Sequence, residues 1–136
     1  PEFPFANGRL RRIRPDDIGQ VYAGLSNPQV IAHYGVSYAS LAATREQMRW
    51  YEQLLEDDMG IWWALADDSD VLIGACGFND RNHQHRRVEM GYWLLPQHWQ
   101  RGLMGQALPA VLRHAFQAMG VHRIHLDIEP ENIASW

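Results

Sequence analysis

With 136 residues, 46% of them apolar and 21% charged, the chain is long enough to bury one core and too short for two domains. A net charge of −4 with no basic block standing apart argues against a nucleic-acid surface, and no apolar run reaches the roughly eighteen residues of a membrane span. All 12 basic residues are arginines, which removes the Walker-type phosphate loop, with its Gly-Lys, and lysine Schiff-base chemistry, pyridoxal phosphate included.

In chain order, "PEFPFANG" lacks the basic-then-apolar layout of a signal peptide, and Glu2-Phe3 has the look of a cloning remnant. Residues 1–8 are therefore set outside the fold, and residues 9–136 are read as one domain. "RLRRIRP" alternates Leu10, Arg12 and Arg14 with Arg11 and Ile13, the pattern of a strand ended by Pro15. Asp16 and Asp17 suit a helix N-terminus, with Ile18, Val21, Tyr22 and Leu25 as its apolar stripe and "SNP" as its stop. "VIAHYGVSYAS" reads as a short helix and a loop. A longer helix follows over Leu41 to Glu56, with Met48, Tyr51, Leu54 and Leu55 on one face. Glu56, Asp57 and Asp58 end it, against the preference of a C-terminal dipole for cations.

Three extended segments come next. "IWWALAD" and "VLIGACGFND" flank the turn "DSD" as a hairpin, and "RRVEMGYWLL" is reached through the loop "RNHQH". Cys76 has no internal disulfide partner and sits in an apolar run, which predicts a buried, unreactive thiol and fits a reducing cytoplasm. From Leu103, apolar residues recur at three- and four-residue spacing through Met104, Ala107, Leu108, Val111, Leu112, Ala115, Phe116 and Met119, and Gly120 supplies the stop. "VHRIHLDIEP" is a further strand. Strand, helix, strand implies a right-handed crossover between parallel neighbours, so the fold class is α+β: a mixed, mostly antiparallel sheet flanked by helices.

Two places in this frame carry chemistry. At the start of the long helix the backbone amides of Gln100 to Gly105 can point at one anion, helped by the helix dipole, by Arg101 and by the close approach Gly102 allows; a plain glycine turn is the competing reading. The dinucleotide pattern G-x-G-x-x-G is missing. In "RRVEMGYWLL", alternation puts Val88, Met90 and Tyr92 on one face and Glu89, Gly91 and Trp93 on the other. Glu89 is then either a solvent-facing position paired with Arg87 or a proton acceptor for an amine beside the anion site. His83 and His85 lack a Cys or carboxylate at ligand spacing, so no metal is expected. The tryptophans Trp50, Trp62, Trp63 and Trp93 read as core.

"RLRRIRPDDIGQVYAGLSNPQVIAHYG", "VLIGACGFND", "VEMGYWLLPQHWQRGLMGQAL" and "HRIHLDIEPENIAS" resemble, in order, the GCN5-related N-acetyltransferases, in the group whose enzymes acetylate ribosomal-protein N-termini. The likeness runs from Arg9 to Ser135. It implies acetyl-coenzyme A as co-substrate, with its pyrophosphate on Gln100, Arg101, Gly102, Leu103, Met104 and Gly105. It also implies a pantetheine arm along Trp93, Leu94 and Leu95, where the family strand usually carries a bulge. Glu89 matches the acidic residue that serves the family as general base, directly or through water. Asn132 and Ser135 match an "N-x-x-S" helix start near the pantetheine and the leaving thiol, which puts Ser135 with Glu89 among the catalytic residues. His33 and Tyr34 fall on the acceptor wall, with a structural role as the alternative for each.

The sequence departs from the family in three places. Met104 occupies a position usually small, with the expectation that it narrows the cleft. Pro109 lies inside the long helix, where a bend is expected. The tyrosine that follows the N-x-x-S helix as general acid in many members is not matched, because the sequence ends at Trp136.

Three function classes follow. The first is an N-acetyltransferase moving acetyl from acetyl-coenzyme A to a primary amine, a protein N-terminus or a small molecule, by direct attack in a ternary complex. The second is a non-catalytic acyl-coenzyme A binding module, and the third a protein-interaction scaffold. "EPENIASW" gives barely one helical turn, and the two further strands that close the family's sheet are missing. The natural protein is thus expected to extend beyond Trp136, and this chain, with an open sheet edge, to associate with itself, a homodimer included.

Overall fold

Segments of alternating side chains pair into one sheet whose spatial order is the chain order: β1 (Phe3–Phe5), β2 (Gly8–Arg12), β3 (Ile61–Asp67), β4 (Leu72–Asn82), β5 (Arg87–Leu94) and β6 (Arg123–Leu126). The computed structural model describes residues 2–5, 8–34, 37–99 and 102–126. Every neighbouring pair is antiparallel except β5 and β6, which are parallel. Between β2 and β3 run α1 (Ile18–Leu25), α2 (Pro28–Tyr34) and α3 (Leu41–Glu56), and α4 (Leu103–Gln117) makes the crossover from β5 to β6.

The period of two divides the strands between two cores. Trp63, Leu65, Phe78, Met90 and Tyr92 pack with the α4 stripe of Leu103, Met104, Ala107, Leu108, Val111 and Ala115. Trp62, Ala64, Ala75 and Trp93 pack on the other face with Val21 and Leu25 of α1 and with Tyr51 and Leu54 of α3. Cys76 lies in the first core with its thiol pushed up to about 12 by burial, the inert state its apolar run predicts. Helix α3 keeps its predicted bounds and is capped by Ser40, whose hydroxyl accepts the Ala43 N–H at 3.1 Å. Leu55 departs from the predicted stripe and is 38% exposed, because position 55 turns about 100° away from buried Leu54.

Three predicted boundaries are corrected. Phe3–Phe5, set outside the fold on sequence, is strand β1, with Phe3 opposite Leu10 and edge-on to Trp63 at 5.7 Å. Strand β2 stops at Arg12 rather than running to Pro15. Strand β4 continues past Asp80 to Asn82 through a register slip between Asn79 and Asn82, so the β4–β5 connection is shorter than the predicted loop.

Arg11 shows how the helical side is tied to the sheet. Its side chain is 2% exposed. Nη1 and Nη2 grip Asp17 at 2.9 and 2.8 Å, Nε donates to Asp70 Oδ1 at 2.8 Å, and the remaining donors reach the carbonyls of Arg12 at 2.9 Å and Asp70 at 3.1 Å. All of its guanidinium N–H groups are therefore used. Asp70 also takes Arg9 at 2.9 Å and Arg14 at 2.6 Å, and these partners hold its carboxyl far below the usual carboxylate range, Arg14 contributing most. One buried cation thus joins β2, the turn before α1 and the β3–β4 turn. Because its removal strands a buried Asp17 carboxylate, Arg11→Met is expected to cost about 3–5 kcal/mol in urea unfolding. Asp70→Asn, on the exposed side of the network, should cost clearly less; equal losses would show the energy to be spread over the whole cluster.

Candidate active site

Strand β5 and the start of α4 carry the predicted site residues Glu89, Trp93, Leu94, Gly102, Leu103, Met104 and Gly105, and Leu95 follows β5 directly. The alternation on β5 is as predicted: Val88, Met90 and Tyr92 enter the α4 core, while Trp93 enters the core under α1 and α3. Trp93 donates from its indole N–H to the Tyr51 hydroxyl at 3.3 Å, and α1 lies so close that a side chain at Gly24 would overlap its ring. At Gly91 an added Cβ would come within 3.1 Å of the Trp62 ring. The missing side chain lets that indole lie across β5 and donate to Asn79 Oδ1 at 3.3 Å.

Glu89 is exposed, opposite Asn79 on β4 and beside His125 on β6. Its carboxyl is raised above the ordinary glutamate value. A hydrogen bond with Asp80 is the main cause, desolvation and the charge of Asp80 add to it, and His125 and Arg87 pull the other way. Arg87, the partner expected on sequence, is thus a weaker influence than a carboxylate that was not singled out. A cleft of about 590 Å³ opens here, lined by Asp80, Arg81, Arg87, Glu89, Arg123 and His125 among others.

At the far end of β5 the Leu95 N–H bonds the Ile73 carbonyl of β4 at 2.9 Å. Since backbone groups alternate in direction along a strand, the N–H and C=O of Leu94 point to the opposite edge. There the Leu94 carbonyl accepts the Trp99 indole N–H at 2.8 Å, a role for Trp99 that the sequence did not reveal. The β4–β5 bulge lies at Asn79–Asn82, away from Trp93, Leu94 and Leu95.

Gly102 takes φ 68°, the left-handed region, and no side chain of the described residues caps α4 behind it. The Gln106 N–H already bonds the Gly102 carbonyl at 3.1 Å, and the amides of the preceding turn are donors with no partner among the described residues. Leu103 and Met104 bury their side chains in the α4 core, so only their backbone faces outward, and Met104 does not narrow the cleft as its size suggested. Gly105 is exposed with nothing within 4 Å of an added Cβ, which leaves space above those amides. From Glu89 to Leu94 the strand advances about 17 Å at about 3.4 Å per residue, so the carboxyl and the open helix start sit at opposite ends of one strand. His33 and Tyr34 lie on α2. Gln100, Arg101, Asn132 and Ser135 lie outside the described residues. Among the described residues no three of His, Cys, Asp and Glu gather to hold a metal, and no helix is long and apolar enough to cross a membrane.

Residues 9–136 match the family model of the acetyltransferase (GNAT) domain. The uncharacterized N-acetyltransferase YoaA of Bacillus subtilis is 31% identical over 128 residues, covering 93% of this chain and 72% of that protein. Two solved structures share the fold. RimL, a ribosomal L7/L12 alpha-N-protein acetyltransferase in complex with coenzyme A, aligns with a TM-score of 0.83 over 99% of this chain and 78% of its own at 19% identity. The spermidine N-acetyltransferase of Vibrio cholerae, with coenzyme A and spermine, aligns at 0.77 over 90% and 72% at 22% identity. The chain belongs to the GNAT acetyltransferase family.

The seat of Trp93 under α1 is open to a direct check. Alanine is the better helix former by about 1 kcal/mol, but a Cβ at Gly24 overlaps the Trp93 ring, and overpacking costs about 1–3 kcal/mol. Gly24→Ala is therefore expected to lower stability in urea unfolding; a variant as stable as the parent would mean that α1 shifts freely over Trp93.

Proposed function

We propose that this chain moves the acetyl group of acetyl-coenzyme A to a primary amine, a protein N-terminus or a small molecule, with both substrates bound together. The observation that carries the reading is the uncapped start of α4 behind a left-handed Gly102, at the end of a strand that presents Glu89 about 17 Å upstream. Coenzyme A contains a pyrophosphate and an extended pantetheine arm, a charged group and a spacer that this arrangement suits. Two proteins of the same fold are described with coenzyme A, one a ribosomal-protein acetyltransferase and the other a spermidine acetyltransferase, which supports both the cofactor and an amine acceptor.

In this reading the amides of Leu103, Met104 and Gly105 bind the pyrophosphate through unpaired N–H groups and the positive end of the helix dipole. The Leu94 N–H, on the edge of β5 away from β4, is placed to pair with an amide of the pantetheine. Its carbonyl is held by Trp99, which fixes the direction of that peptide. The co-substrate supplies a thioester, whose carbonyl carbon the amine nitrogen attacks and whose sulfur departs as thiolate, taking up the second proton that the nitrogen loses as the amide forms. An alkyl amine is mostly protonated at neutral pH, so a proton must pass from its nitrogen to a Glu89 oxygen, directly or through water, before attack. The raised carboxyl of Glu89 makes it a better base than an ordinary glutamate. An oxyanion forming on the thioester carbonyl would be stabilised by backbone donors of that strand edge.

Two measurements test this. Gly102→Asp adds bulk and negative charge at the helix start and is expected to abolish coenzyme A binding in calorimetry; retained affinity refutes the site. Glu89→Gln keeps shape and removes the base, so at neutral pH it should lower turnover by about 10²–10⁴-fold with coenzyme A affinity unchanged. Because the amine deprotonates by itself in alkali, the deficit should shrink as pH rises. A pH-rate profile identical to the parent's would take Glu89 out of the mechanism.

A further inference from the structure

Three described aspartates adopt left-handed backbone: Asp58 at φ 54°, Asp70 at φ 65° and Asp80 at φ 52°. Glycine is the cheaper residue there, so a carboxylate kept at such a position invites the question of what it touches. Asp58 pairs with Arg81 at 2.9 Å, and Asp70 gathers Arg9, Arg11 and Arg14. Asp80 differs: its carboxylate lines the same cleft as another carboxyl, that of Glu89, and is the largest influence on it.

The β4 bulge makes this meeting happen. In an unbroken strand Asp80 would point to the face opposite Asn79 and Glu89. Here Asn79 pairs with Glu89 and Asn82 with Arg87, so Asp80 and Arg81 together oppose Val88; the extra residue with its left-handed φ breaks the alternation, and Asp80 lines the same cleft as Glu89. Its orientation is fixed from behind. Trp62 donates to Asn79 Oδ1 at 3.3 Å, and Asn79 Nδ2 donates to Asp80 Oδ2 at 2.7 Å. A buried indole thus sets an amide, and the amide sets the carboxylate.

We propose that Asp80 is a positioning residue for the proposed base: brought round by the bulge and held by Asn79, it accepts a hydrogen bond from protonated Glu89 and so favours proton transfer from the amine. This rests on the reading of Glu89 as proton acceptor. The proton leaves the amine nitrogen for a Glu89 oxygen, and the new O–H donates to the Asp80 carboxylate. No bond to carbon changes in this step, and the amine lone pair is freed for attack. Two carboxylates side by side repel while both are ionised, and that repulsion is relieved when Glu89 takes the proton. The other charged groups facing the pair are Arg87 on β5, Arg123 and His125 on β6, and Arg81 on β4, itself held by Asp58 past the end of α3. The three arginines, and His125 when protonated, favour ionised carboxylates and limit how far the pair holds its proton. The hydrogen bond with Asp80 is a larger influence on Glu89 than the charge of either His125 or Arg87.

The test is a carbon-13 NMR titration of the side-chain carboxyls in the whole chain, with Glu89 assigned as the resonance that Glu89→Gln removes. Asp80→Asn and Asp80→Gly both tolerate left-handed backbone, so the bulge is kept while the carboxylate is lost. In the parent Glu89 should titrate above the ordinary glutamate range, and each variant should lower that titration toward it. The acid limb of kcat/KM should move down by the same amount. A Glu89 titration unmoved in both variants, with Glu89→Gln still inactive, overturns the role of Asp80 alone. A titration that moves while Glu89→Gln turns over like the parent sinks the base reading and the catalytic role of Asp80 with it.

Discussion

The parallel pairing of β6 with β5 is the constraint on which the rest of the molecule depends. Strands β1 to β5 are antiparallel to their neighbours, and tight turns or short connections can join such pairs. A parallel partner cannot be reached that way. The chain must leave the end of β5, cross the sheet and come back to the other end, and α4 is the crossing. Two consequences follow. One face of the sheet is covered by a helix whose apolar stripe is continuous, and the start of that helix stands at the end of β5, where the left-handed Gly102 turns the chain into it. A helix start at a strand end, the place proposed to hold the pyrophosphate, is therefore a product of topology, and no additional motif is needed to build it.

The opposite face is organised around large aromatic rings and the glycines that admit them. Trp93 takes its place because α1 has no side chain at Gly24, and Trp62 reaches across β5 because there is none at Gly91. Each ring then uses its polar edge: Trp93 toward Tyr51, Trp62 toward Asn79, and Trp99 toward the Leu94 carbonyl. Packing and polar direction are coupled, so the ring that fills the core also fixes the amide beside the proposed base. The Arg11 network does the corresponding work at the β2 end, where it joins the sheet to the entry of the helical segment.

Much of this frame was legible because it follows periodicity. Helix α3, strand β3 and the stripe of α4 repeat at spacings that few alternatives satisfy, and the parallel crossover follows from their order. What was not legible depends on partners distant in the chain. Phe3–Phe5 looks like an appended end until β2 and Trp63 are in place beside it. Met104 looked like an intruder in the cleft, but its side chain turns into the core because its helical phase matches Ala107, Leu108 and Val111. Glu89 could be found on its strand by alternation. Asp80 could not, since alternation puts it on the wrong face and only the bulge corrects this; "FND" before a polar loop was the one local hint. Trp99 gave no periodic signal at all, sitting in a turn between a strand and a helix.

The position of the bulge bears on how the proposed base is tuned. Burial is the usual way to raise a carboxyl, yet it would bring Glu89 into the core and close it to an amine. Here Glu89 stays exposed and a neighbouring carboxylate supplies the larger influence. Such an arrangement is adjustable at low structural cost. Asp80 lies on an exposed bulge near the end of β4, outside both cores, whereas the Trp62 and Asn79 that hold it are anchored by the sheet. Changes at Asp80 can therefore alter base strength without repacking the interior, and changes at Arg87 or His125 can do so in the opposite sense. The chemistry of this strand is set at its rim, and its geometry is set by the rings beneath it.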